Sequence, residues 1–250
     1  MRWLEEMALL KRDFQAEQLI ITDDTFTIDH ERLEKICRGM IDRRLNLSWF
    51  CFSQINTVNR DILKMMKKTG CYSIGFGVES SDEGLLRQMG KPITPAQAKD
   101  TIRTTTELGL KTQAFYILGL PGETKSQMQA TVRFAEEVNS TLAFFNMLVP
   151  YPGTRDFDAF FAGVPLDEIH WENFVAIGEN CVLQKASVTG YEIEQLISWA
   201  NRHYYAHPKR LINVLRHIDT PYELVNYIKG GCSIMKQIFA ARERMQAHDR

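Results

Sequence analysis

The chain has 250 residues, 44% of them apolar, with 30 Lys and Arg against 31 Asp and Glu. Such a chain can bury a sizeable core as one large domain or a domain plus an appendage, and its balanced charge excludes a global field that would draw it to nucleic acid or an anionic membrane. No apolar run approaches the roughly 18–20 residues of a membrane span, and MRWLEEMALLKRDF at the start is an amphipathic charged helix without the apolar centre of a signal peptide, so a cytoplasmic globular protein is expected.

The helical start leads to a strand-like run, QLIIT (18–22), followed by Asp23-Asp24 and a helical pattern over 30–44 with Asp29 as its N-cap. LSWFCFS (47–53) is the second strand, closed by Ser53-Gln54, and a helix over 58–69 ends at Gly70. YSIGFGV (72–78) runs into Glu79-Ser80, followed by helical patterns at 81–89 and 95–108. Thr94-Pro95-Ala96-Gln97 offers a capping threonine, proline at the first helical position and glutamine three residues on, and Gly109 sits where a C-cap belongs. KTQAFYIL (111–118) passes through GLPGETKS (119–126) into a helix over 125–139. TLAFFNMLV (141–149) ends at the turn Pro150-Tyr151-Pro152-Gly153-Thr154. Beyond residue 155 a loop-rich stretch (163–188) precedes helices near 190–206, 208–217 and 221–246, the last broken at Gly230-Gly231. Thr189-x-x-Glu192 and Thr220-Pro221-x-Glu223 are further capping boxes.

Five short strands rich in aromatic and branched residues, alternating with helices, argue for parallel βαβ units. That leaves an open doubly wound sheet or a full or partial βα barrel. Polar or special-backbone residues follow all five strands, whereas a doubly wound sheet concentrates them at one switch point, so the barrel is favoured. The expected organisation is an α/β fold, a partial parallel βα barrel over 1–155 and a helical C-terminal region over 156–250.

GLPGETKS matches the P-loop G-x-x-x-x-G-K-[ST] except that Thr124 replaces the second glycine. A threonine would crowd the place where backbone must approach phosphate, and Glu123 would put a carboxylate beside phosphate charge. Thr124-Lys125-Ser126-Gln127 instead reads as a capping box, with Thr124 capping the helix, Gln127 reaching back and Lys125 facing solvent.

Taken in order, TDDTFT (22–27), GCYSIGFGVESS (70–81), MGKPIT (89–94), YILGLPGET (116–124) and VPYPGT (149–154) resemble the radical S-adenosylmethionine enzymes. The likeness is greatest to the branch whose members often carry a cobalamin-binding domain ahead of the barrel. It runs from about residue 3 to 155 and more weakly through the tail. It implies a partial TIM-like barrel holding a 4Fe–4S cluster and S-adenosylmethionine at its C-terminal mouth. There an electron from the cluster generates a 5′-deoxyadenosyl radical that takes hydrogen from substrate. The resemblance places Asp23 and Asp24 as acceptors for the methionine ammonium, and Glu79 with Ser80 at the ribose diol. Ile117, Leu118 and Gly119 are placed beside adenine, with backbone hydrogen bonds and close backbone approach at Gly119. As local chemistry alone, Asp23-Asp24 could equally turn the chain and cap the next helix, and Glu79-Ser80 could complement a helix dipole.

The family's CxxxCxxC motif is absent. The cysteines stand at 37, 51, 71, 181 and 232, and the three nearest one another are 14 and 20 residues apart, in or beside apolar segments. Reduced thiols in a packed core are their default reading. Residues 3–16 resemble the first barrel helix, so the family's first strand and cluster loop are expected upstream of Met1, making this a C-terminal portion whose second strand, QLIIT, has an open edge. Poor solubility of the chain expressed alone is expected on that ground.

Three functions follow. The first is part of a radical enzyme acting on an unidentified substrate, by methyl transfer or rearrangement. It would work with an upstream cluster- and cobalamin-binding segment and an electron donor such as flavodoxin or ferredoxin. The second is a non-catalytic protein binding a nucleoside-like ligand or a partner. The third, phosphate-handling barrel chemistry, lacks an anion loop. In the tail, His203 and His207 in HYYAH are spaced i, i+4, without the glutamate of HExxH or paired cysteines to complete a metal site. RHYYAHPKRLINVLRH mixes basic and aromatic residues, a pattern that helical amphipathicity explains as well as RNA binding does.

Overall fold

The computed structural model describes residues 2–174 and 190–205, with isolated positions at 212, 218, 224–225 and 228–231. Five strands, β1 (Gln18–Ile21), β2 (Ser48–Ser53), β3 (Cys71–Glu79), β4 (Lys111–Leu118) and β5 (Leu142–Met147), form one sheet in the order β1-β2-β3-β4-β5. β1 with β2 and β2 with β3 pair in parallel, with Gln18 opposite Ser48 and Ser53 opposite Phe76. Strand order equal to chain order is that of a βα barrel; a doubly wound sheet would reverse direction at an inner strand. The fold is therefore α/β and of partial βα-barrel type, as the polar residues at every strand end implied.

Helices α1 (Arg2–Phe14), α2 (His30–Asp42), α3 (Arg60–Lys68), α4 (Glu83–Gln88), α5 (Pro95–Glu107) and α6 (Lys125–Val138) fall where the apolar periodicity put them. The caps form as expected. Asp29 accepts from the Arg32 amide at 3.0 Å, and both hydrogen bonds of the Thr94–Gln97 capping box are present. Gly70 and Gly109 take φ values of 96° and 75° just past α3 and α5. A short helix that the sequence reading did not assign, α7 (Arg155–Phe160), is capped by Thr154, which accepts from the Phe157 amide at 3.2 Å. In the tail, α8 (Gly190–Tyr205) matches the expected 190–206 helix. Of the helices expected near 208–217 and 221–246 only 212, 224–225 and 228–231 are described; all are helical, so the expected break does not fall at Gly230-Gly231, and both tail capping boxes and His207 lie outside the described residues.

The chain divides into two compact units, one of residues 1–78, 86–115 and 135–143, the other of residues 79–85, 116–134 and 144–250. In the first, Phe26, Leu33, Trp49, Met66, Ile74 and Ile102 are fully buried, and the Trp49 indole donates to the Thr69 carbonyl at 3.0 Å. Gly39 lets α1 approach α2, because a Cβ there would stand 2.1 Å from Leu4 Cδ1. β1 stands at one end of the sheet order, and its Ile20 side chain is 66% exposed. In the second unit the Tyr116 ring stacks on Phe145 (5.3 Å), and Tyr204 of α8 packs edge-on against the same ring at 6.1 Å. That buried layer supports the ends of β4 and β5.

Candidate functional site

Glu79 closes β3 with φ 67°, a left-handed conformation that is uncommon outside glycine, and it is only 8% exposed. Ser80 beyond it is fully buried. Its Oγ accepts from the Asp82 amide at 3.1 Å and lies 3.4 Å from Thr131 Oγ1 on α6. Thr131 Oγ1 also accepts from the Ser81 amide at 3.2 Å. Asp82 then caps α4 by accepting from the Leu85 amide at 2.9 Å, while its other oxygen accepts from Gln127 Nε2 at 2.9 Å.

The loop after β4 is organised from within by Glu123. This side chain is 1% exposed, and its Oε2 accepts from the Gly119 amide at 2.8 Å and from the Leu120 amide at 3.0 Å. A phosphate cradle would need those amides turned outward, so the inward carboxylate closes the question raised by GLPGETKS: the loop does not present a P-loop's donors. Loss of hydration on burial pushes the Glu123 carboxyl up to about 7, against the two amide donors that favour its charged form, with the Asp82 carboxylate adding to the rise. Thr124 caps α6 as expected: Gln127 Oε1 accepts from the Thr124 amide at 2.9 Å, Thr124 Oγ1 accepts from the Gln127 amide at 3.4 Å, and Lys125 is exposed.

The residues that the resemblance places beside adenine lie at the end of β4 and the start of this loop. Ile117 is half-buried and Leu118 is buried, with the Leu118 carbonyl accepting from the Leu148 amide at 3.2 Å. Gly119 has φ 86°, as close backbone approach requires, but its amide is held by Glu123.

Glu79, Ser80, Ile117, Leu118 and Gly119 belong to one compact unit, and Asp23 and Asp24 to the other. Asp23 is half-buried, with Oδ2 3.4 Å from an Arg32 terminal nitrogen, whereas Asp24 is exposed. The same guanidinium donates to the Phe26 carbonyl at 3.0 Å and lies 5.6 Å from the centre of the Phe26 ring. Since Asp29 is the cap of α2, Asp23 does not serve that purpose. Ser53 is buried, with Oγ 2.5 Å from Thr27 Oγ1, and both Ser53 and Thr57 donate to the Gln54 carbonyl. Arg32, Asp82, Gln127 and Thr131 were not singled out in the sequence as site residues. The only local sign was the place of Gln127 in a capping box.

The thiols do not fit a cluster. Cys37, Cys51 and Cys71 are free and buried; Cys37 Sγ accepts from Thr69 Oγ1 at 3.6 Å and Cys71 Sγ donates to the Ser73 carbonyl at 3.5 Å. Burial pushes both the Cys37 and the Cys71 thiols up, away from the thiolate that binds iron. Among the described residues no group of three or more His, Cys, Asp or Glu is arranged to hold a metal ion, and none of their helices is long and apolar enough to cross a membrane.

A family model described as the Radical SAM superfamily matches residues 2–135. The chain is 33% identical over 211 residues to an uncharacterized methyltransferase of Pyrococcus horikoshii, covering 84% of this chain and 46% of that protein. It is 30% identical over 176 residues to an anaerobic magnesium-protoporphyrin IX monomethyl ester cyclase of Cereibacter sphaeroides, covering 69% and 29%. The chain thus spans less than half the length of these curated relatives. Among solved structures, it is similar to the methyltransferase TsrM from Kitasatospora setae with cobalamin and a [4Fe–4S] cluster bound (TM-score 0.58, 21% identity, 64% of this chain and 34% of that one). It is likewise similar to coproporphyrinogen III oxidase (HemN) from Escherichia coli (TM-score 0.56, 15% identity, 81% and 44%). At these identities the structural likeness speaks for the fold.

Proposed function

The chain belongs to the radical SAM superfamily, and from that premise we propose that it binds the nucleoside of S-adenosylmethionine at the ends of β3 and β4, as part of an enzyme of the cobalamin-associated branch that transfers methyl groups or rearranges its substrate. The observation that carries this reading is Glu79. A buried glutamate in the left-handed region at the end of a parallel strand is a conformation that costs on the order of 1–3 kcal/mol and collects at functional sites. Its carboxylate suits the ribose diol, with the buried Ser80 hydroxyl beside it in sequence.

Half-buried Ile117 is proposed to pack against adenine, with buried Leu118 and Gly119 forming the backbone beside it. By the family resemblance alone, Asp23 and Asp24 are the proposed acceptors for the methionine ammonium. When bound, S-adenosylmethionine supplies the adenosyl radical chemistry of the family. The 250 residues contain no CxxxCxxC and their described thiols do not suit iron, so the reading assigns the cluster, cobalamin and the electron donor to partner segments or partner proteins. Residues 156–250 are proposed as the helical appendage to the barrel. The same burial of the thiols favours a second reading, a nucleoside-binding protein without chemistry of its own.

The test is calorimetric titration of the chain with S-adenosylhomocysteine. Binding that weakens about tenfold or more in Glu79→Gln, with an unchanged circular dichroism spectrum, is the expected result. Failure of the unaltered protein to bind this nucleoside, or binding indifferent to Glu79, would overturn the proposal.

A further inference from the structure

The loops after β3 and β4 are tied by one helix. Gln127, in the first turn of α6, uses both ends of its amide: Oε1 accepts from the Thr124 amide at 2.9 Å, and Nε2 donates to Asp82 Oδ2 at 2.9 Å. One turn on, Thr131 Oγ1 accepts from the Ser81 amide at 3.2 Å and sits 3.4 Å from Ser80 Oγ. Gln127 and Thr131 are spaced i, i+4 and share a helix face. The other ends of these contacts, Ser80, Ser81 and Asp82, directly follow Glu79. Thr124 directly follows Glu123, whose carboxylate gathers the Gly119 and Leu120 amides.

We propose that Gln127 is a positioning residue for the nucleoside site, fixing the loop that carries Glu79 and Ser80 to the loop that carries Gly119. The inference rests on the nucleoside reading above. A simple capping role does not account for it, because capping uses only Oε1, whereas Nε2 reaches a residue 45 positions away. Removing Nε2 would take a charge-assisted hydrogen bond from the half-buried Asp82 carboxylate, and with it a tie on the residues after Glu79.

The two uses of Gln127 can be separated. Gln127→Glu keeps an acceptor for the Thr124 amide but sets a carboxylate against Asp82. Pairing it with Asp82→Asn restores a donor and an acceptor across the contact and leaves Oδ1 for the Leu85 amide. In Gln127→Glu, amide hydrogen exchange at residues 80–82 is expected to rise about fivefold or more while exchange within α6 stays near the unaltered rate. S-adenosylhomocysteine affinity is expected to fall by about fivefold or more. The paired variant is expected to recover both to within about twofold. Unchanged exchange at 80–82 in Gln127→Glu, or no recovery in the pair, would overturn the inference. If the unaltered protein does not bind the nucleoside, the functional reading fails, and the exchange measurements alone decide whether Gln127 ties the loops.

Discussion

Two glutamates show how differently one residue type is used. Glu79 takes backbone strain at the end of β3, and Glu123 takes desolvation in the next loop. The second has a pH signature. Its carboxyl sits at about 7 in the folded chain against an ordinary 4.5, so the folded state holds the proton more tightly. The contribution is complete below about pH 4.5, declines as pH rises toward 7, and is level above that. Glu123→Gln removes the titration while keeping an acceptor for the two amides. Urea unfolding should therefore show the variant gaining about 2–3 kcal/mol relative to the unaltered chain between pH 5 and pH 8. A constant difference across that range would mean that Glu123 is not held in a desolvated place. Glu123 was read in the sequence only as an obstacle to phosphate. Nothing local marks a loop carboxylate as turned inward, because that depends on the two amides it meets and on the apolar packing around it.

At the level of elements, all five strands and the helices through α6 were legible, since alternation, caps and C-terminal glycines are local signals. α7 was not, because six residues are too few to display helical periodicity and its cap, Thr154, reads in the sequence as the end of a turn. The glycines differ in a way that can be measured. A Cβ on Gly70 would lie 2.2 Å from the Leu47 carbonyl oxygen, whereas one on Gly90 would meet nothing within 4 Å, although both have positive φ. Gly90→Ala should cost about 1–2 kcal/mol from backbone conformation alone. Gly70→Ala should cost more by at least about 1 kcal/mol, since α3 and the start of β2 would have to part. Equal denaturation midpoints for the two variants would contradict the close approach of Gly70 to Leu47.

For the whole molecule, the buried thiols and the missing CxxxCxxC lead to one expectation. Reconstituted anaerobically with iron and sulfide and reduced, the chain alone should yield no 5′-deoxyadenosine from S-adenosylmethionine, by chromatography. Substantial product would show that its cysteines are read wrongly here, Cys181 and Cys232 included. The sequence by itself determined the family, the order of strands and helices and the identity of the strand-end residues, because each is written in contiguous stretches with their own periodicity, caps and motifs. Only the tertiary structure decided which polar groups meet: Gln127 with Asp82, Arg32 with Asp23, Glu123 with the amides of its own loop. Hydrogen-bond partners are chosen by distance and burial after the chain has packed, and neither quantity is carried by any single stretch of residues.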